Sequence, residues 1–130
     1  MFAIAAPLYG QAVDRYRADI SAKRVAADLI LAKTRARTAS HSQSVTFDRS
    51  TGTYTLPGEV NPDHPNTTYS VNLTKAPYQA SLAAVSFSGT SAITFNGYGV
   101  PDSAGSITVQ AGSSQRTVAV AANSGEITIQ

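Results

Sequence analysis

Between Gly10 and Gly52 the chain carries neither glycine nor proline. The stretch from Tyr9 to about Ser42 is rich in alanine, leucine and charged residues, a mixture that favours one long helix. Within it Val25, Leu29, Ala32, Ala36 and Ala39 recur at spacings of four, three, four and three, which draws one apolar stripe along one side. Val13, Tyr16 and Ile20 form a shorter stripe displaced around the axis. Everything after Gln43 reads as short strands and turns, and a sheet of such strands needs a partner to cover its apolar face. The helix is that partner, with Val25, Leu29, Ala32 and Ala36 as the packing residues. The expected class is α+β, a long N-terminal helix on antiparallel β-sheet.

The strands follow from alternation and turn chemistry. Residues 44–48 alternate polar and apolar, a turn at Ser50-Thr-Gly52 follows, and residues 53–56 return as a hairpin partner. Pro57-Gly58 is expected to end that strand, and Asn61-Pro-Asp-His-Pro65 to form a loop. Residues 68–73 alternate again, and 82–87 read as a strand whose alanines leave helix open. Residues 92–95, 106–110, 117–121 and 126–130 complete seven or eight strands, with Gly97, Gly99, Pro101 and Gly112 in the turns. The 130 residues are divided as an apolar start over 1–10, an amphipathic helix over 11–43 and a β-rich part over 44–130, one domain with the helix.

Composition narrows the function. With 42% hydrophobic and 14% charged residues, the chain suits a secreted or surface β-rich protein better than a cytoplasmic enzyme. The net charge of +2 is unevenly spread. Residues 11–40 hold seven basic and three acidic side chains, while the rest hold three basic and five acidic. A basic helix can face a membrane or nucleic acid, but pairs such as Asp19–Lys23 and Asp28–Arg24 point to a solvated face. There is no cysteine, so disulfides and thiol chemistry are excluded. Met1 to Leu8 are apolar but far short of the ~20 residues of a membrane span; they read as the tail of a longer apolar segment.

No catalytic pattern emerges. His41 and His64, with Asp48 and Asp63 nearby, lack metal-ligand spacing and are expected in surface loops. Gly97-Tyr-Gly99 precedes no helix and reads as a tight turn rather than a phosphate loop. Asp63 and Asp102 lack the alternating acids of a calcium loop. Asn66-Thr-Thr68 and Asn72-Leu-Thr74 match the glycosylation sequon, as chance allows in so Asn- and Thr-rich a chain. No enzyme activity, cofactor or metal is expected. Nucleic acid would need clustered cations with aromatics, for which Arg35, Arg37 and Arg116 are the candidates.

Two segments carry a family resemblance. One is Arg24-Val-Ala-Ala-Asp-Leu29 through Ala32-Lys-Thr-Arg-Ala36 to Gln43-Ser-Val-Thr-Phe47. The other is Ile93-Thr-Phe-Asn-Gly97 with Gly99, then Ile107-Thr-Val109, Arg116-Thr-Val-Ala-Val120 and Ser124-Gly-Glu-Ile127. In this order they resemble type IV pilin-like proteins, most of all the minor pseudopilins of type II secretion (the GspH/FimT-type family). Ala5-Ala-Pro-Leu-Tyr9 looks like the end of a pilin transmembrane helix. The resemblance implies a pilin-like fold and a structural subunit of a type II secretion pseudopilus or a type IV pilus. It also implies a single-pass anchor in the bacterial inner membrane, a periplasmic soluble domain, leader processing with N-methylation, and assembly with other pseudopilins or pilins, with secreted cargo as a further partner. Pro7 would then remove one helical hydrogen bond and kink the helix there. The 57–65 loop and the 122–125 turn are expected to face neighbours or cargo. Two other readings stand beside it: a DNA-binding minor pilin for transformation, and a secreted β-rich binding module.

Overall fold

A computed structural model of the chain describes residues 2–60, 68–75 and 78–130, with side chains at 12–58, 68–75 and 78–130. The helix α1 spans Phe2–Ala39 and runs unbroken through Pro7. It ends four residues short of the expected position 43. Ser40 turns into the left-handed region at φ 56°; its N–H bonds to the Arg37 carbonyl and that of His41 to Ala36. Those two bonds close the last turn and leave no continuation.

Eight strands follow among the described residues: β1 (Gln43–Asp48), β2 (Thr53–Val60), β3 (Thr68–Asn72), β4 (Ser81–Ser86), β5 (Ala92–Phe95), β6 (Gly105–Ala111), β7 (Ser114–Val120) and β8 (Ile127–Ile129). They form two antiparallel sheets, the first in the order β3-β2-β1-β5 and the second β4-β6-β7-β8. The alanine-rich 82–87 stretch is strand. Its neighbour β6 supplies a ladder from Ser81↔Gln110 to Ser86↔Ser106, which decides what local propensity left open. Pro57 and Gly58 do not end β2. The strand continues to Val60 with its register broken between Leu56 and Val60, an irregularity that absorbs a residue without an N–H and a glycine at φ 86°.

The core lies between the helix and the inner faces of both sheets. Ala22, Val25, Leu29, Ala32 and Ala36 are fully buried against Val45, Leu56, Ile93, Phe95, Ile107, Val109 and Val118. The ring of Phe47 sits 5.9 Å from Phe87 and 5.4 Å from Tyr54, bridging β1 to the loop after β4. Alanine at three of the five helix positions lets the helix backbone settle close to the strands. Ala39, the fifth member of the predicted stripe, is exposed because the helix ends there and the strands turn away. The Val13–Tyr16–Ile20 stripe is not core either: Tyr16 is 63% exposed, and Val13 and Ile20 are half-buried.

Candidate functional site

The helix presents three distinct chemistries around its circumference. The first is a polar cluster where it meets the first sheet. Arg24 and Asp28 stand one turn apart, and the Arg24 Nε donates to Asp28 Oδ2 at 3.0 Å. Tyr69 of β3 donates its hydroxyl to Asp28 Oδ1 at 2.8 Å and accepts from an Arg24 guanidinium nitrogen at 2.8 Å. Tyr54 of β2 donates to Asp28 Oδ2, and Tyr78 accepts from Arg24 at 3.1 Å. Asp28 is 4% exposed, so the pair is not the solvated surface pair that its spacing suggests. It is a clamp, and the tyrosines of two strands complete it. Among the described residues no buried side-chain polar atom lacks a partner. Burial pushes the Tyr54 hydroxyl far above the usual tyrosine range, and the Asp28 charge pushes the same way. Tyr69 is raised for the same two reasons, burial first and its bond to Asp28 second. Burial works against the Arg24 charge, but Asp28 and Tyr69 outweigh it and hold the guanidinium charged. This chemistry is structural: the hydrogen bonds of Asp28 and Arg24 to Tyr54, Tyr69 and Tyr78 fix the helix to the sheet.

The second surface is the side of the helix turned away from both sheets. At about 100° per residue, Tyr16, Ile20, Lys23, Ala27, Ile30 and Thr34 fall along one line opposite Val25 and Leu29. Their spacing of four, three, four, three and four is that of a coiled-coil seam. Ile30 is 50% exposed and Ala27 is exposed beside it. Lys23 is the one charge on this line, and Asp19 neutralises it at 2.9 Å. The other helix charges lie on the flanks, so the outermost face is mostly apolar. Its first members, Tyr16 and Ile20, belong to the displaced stripe read from the sequence; Ala27, Ile30 and Thr34 extend it.

The third chemistry is the flank toward the second sheet. Lys33 donates to the carbonyls of Ser124 and Gly125 at 3.1 and 3.3 Å, tying the last hairpin turn to the helix. The stem of Arg37 lies on Gly99, where a side chain would overlap it. Next to it the turn over residues 96–100 is pinned through Asn96, whose side-chain oxygen accepts from Tyr98 N and Val100 N. Tyr98 stands 86% exposed on that turn.

The residues weighed for nucleic acid do not converge. Arg35 lines an open cavity of about 420 Å³ with Thr38, His41, Gln43 and Pro57, and Arg37 follows it at the helix end. Arg116 lies beside Asp19, 3.9 Å away, about 24 Å back along the axis. His41 and Asp48 sit at opposite ends of β1, roughly 20 Å apart by strand rise. Asp48 instead caps its turn through Ser50, whose hydroxyl holds the carboxyl below the usual range. Asp102 accepts from the Thr94 N–H on the edge of β5. Asn72, in the second sequon, accepts from Thr74 N and Oγ1. Asp63, His64, the first sequon's Asn66 and the rest of the 61–65 loop lie outside the described residues. Among the described residues no three histidine or acidic side chains come close enough together to hold a metal.

This arrangement has relatives. Residues 21–125 match the family model described as type II transport protein GspH. The structure is similar to the minor pseudopilin EpsH from the type 2 secretion system of Vibrio cholerae, at TM-score 0.64 and 17% identity, covering 88% of this chain and 96% of that one. It is similar also to the type IV minor pilin FimU of Pseudomonas aeruginosa, at TM-score 0.66 and 13% identity, over 89% of this chain and 90% of that one. Among curated protein sequences none matches. The likeness to both structures is one of fold, a long helix laid on antiparallel sheets. With a family match spanning α1 from Ser21 through the turn before β8, the chain belongs to the GspH family of pilin-like type II transport proteins.

Proposed function

We propose that this structural pilin-like subunit acts as a minor pseudopilin of a type II secretion pseudopilus, and that its outward helix face is the contact through which it joins the fibre. The observation that carries the reading is the Tyr16–Ile20–Ala27–Ile30 line, an apolar seam on a helix already anchored on its other side. An isolated soluble protein has no use for it; a neighbouring helix does. The apolar residues 2–8, continuous with the same helix, support an anchor in the inner membrane before assembly. No helix of the described residues is itself long and apolar enough to cross a membrane. Of the three candidate arginines, Arg35 and Arg37 sit at the helix end and Arg116 lies about 24 Å away beside Asp19, which favours the fibre reading over DNA uptake.

The test is Ile30→Glu. Facing solvent in the monomer, this change should leave the thermal melt within about 0.5 kcal/mol of the parent. In the host it should abolish cross-linking to the other pseudopilins and stop secretion. An Ile30→Glu protein that folds, cross-links and supports secretion as before would remove the seam from the mechanism.

A further inference from the structure

The lower end of the soluble domain, where the helix leaves its apolar start, holds a basic pocket away from the outward helix line. The β6–β7 hairpin runs down the helix toward that end. Arg116 lies beside Asp19, and at the tip Gly112, with φ +59°, approaches the Asp14 carboxylate so closely that any side chain would overlap it. Between hairpin and helix opens a cavity of about 430 Å³ lined by Arg15, Ala18, Ser114, Gln115, Arg116 and Gln130. Two guanidinium groups, a hydroxyl and two carboxamides thus line one opening, the Gln115 amide already donating to Gln110 at 3.2 Å; the rest is a donor set suited to a phosphate oxygen cluster. Two acids lie nearby, and one of them already faces Arg116. Asp14 is turned to the hairpin tip, and Asp19 is held by Lys23 at 2.9 Å with Arg116 at 3.9 Å. Arg15 is exposed and has no ion pair among the described residues.

Height along the helix decides what such a pocket meets. From Leu8, the last residue of the apolar run, to Arg15 is about 10 Å of helix rise. The headgroup layer is roughly 5–8 Å deep on each side of the hydrocarbon, and an arginine stem spans the remainder. We propose that the Arg15–Arg116 pocket takes the phosphate of an anionic phospholipid headgroup while the subunit waits in the membrane, setting the height and rotation of the domain above the bilayer. The proposal rests on the membrane-anchoring reading above. Extraction into a fibre breaks this contact, so the pocket belongs to the membrane-resident state.

Vesicle co-flotation of the full chain tests it, with phosphatidylcholine alone and with phosphatidylglycerol added. Phosphatidylglycerol should tighten binding of the parent protein, and Arg15→Gln and Arg116→Gln should each remove about fivefold of that gain. Arg35→Gln and Arg37→Gln, each the same charge change about 30 Å up the helix, should remove none. Loss from both pairs alike, or from neither, overturns the headgroup site. The phosphatidylcholine arm reads the anchor separately: no binding there sinks the anchoring reading, whatever phosphatidylglycerol does. Should Arg116→Gln fail to melt cooperatively, Arg15→Gln alone decides, with the same fivefold expectation.

Discussion

Asp28 and Leu29 are neighbours on one helix, both buried, and opposite in kind. Leu29 is fully enclosed by aliphatic and aromatic side chains of the two sheets, and its burial stabilises by the roughly 2 kcal/mol typical of a leucine side chain. Asp28, a sixth of a turn or so beyond the stripe, meets Tyr54, Tyr69 and Arg24 instead. The apolar seam supplies attraction without direction: an alanine and leucine stripe could slide by a turn and still be covered. The clamp is directional. A carboxylate accepting from two tyrosines on adjacent strands and one arginine on its own helix fits at a single height and rotation. One helix is thus held by burial on one line and placed by hydrogen bonds on the next.

The contrast can be broken at either residue. Leu29→Asp puts a charge one residue away from Asp28, at a site with no donor to receive it. It should cost more than about 4 kcal/mol and abolish the cooperative thermal melt of the domain; a normal melt would refute the helix-on-sheet core. Asp28→Ala should be milder, about 3 kcal/mol in a denaturant titration, because Arg24 keeps partial access to water while the Tyr54 hydroxyl is left buried without its acceptor. Loss of under about 0.5 kcal/mol would reduce the clamp to a surface ion pair.

The smallest effect is in alkali. Tyr54 and Tyr69 stay protonated in the folded chain above their ordinary range. Their contribution is therefore complete below about pH 10 and is lost as the pH rises beyond it, since the unfolded chain then releases protons that the folded one keeps. Tyr54 should contribute a slope of up to about 1.4 kcal/mol per pH unit, with less from the more exposed Tyr69. Denaturant midpoints measured across that range should flatten in Tyr54→Phe, and an unchanged slope would mean Tyr54 is not the group that titrates.

Much of the architecture was legible because it rests on local rules. The absence of glycine and proline from 11 to 51, and the period of Val25, Leu29, Ala32 and Ala36, are helix statements that need no tertiary information. Alternation and turn residues placed all eight strands to within a few positions. The errors have a common cause. Pro57 and Gly58 looked like a strand end, yet pairing with β3 resumes at Val60↔Thr68. Asp28–Arg24 looked like solvent chemistry because i,i+4 spacing reports which residues are adjacent on a helix and says nothing of what lies over them.

The sequence by itself determined a long helix, its packing line and a β-rich remainder, since hydrophobic period and backbone stereochemistry act over a few residues. Only the tertiary structure decided which helix charges are buried, which arginines meet and which apolar line is left outward. The buried Arg24–Asp28 pair depends on Tyr54, Tyr69 and Tyr78, some 26 to 54 residues from their partners on the helix. Contacts between residues so far apart in sequence are set by the order in which strands are laid into two sheets, and no local spacing records it.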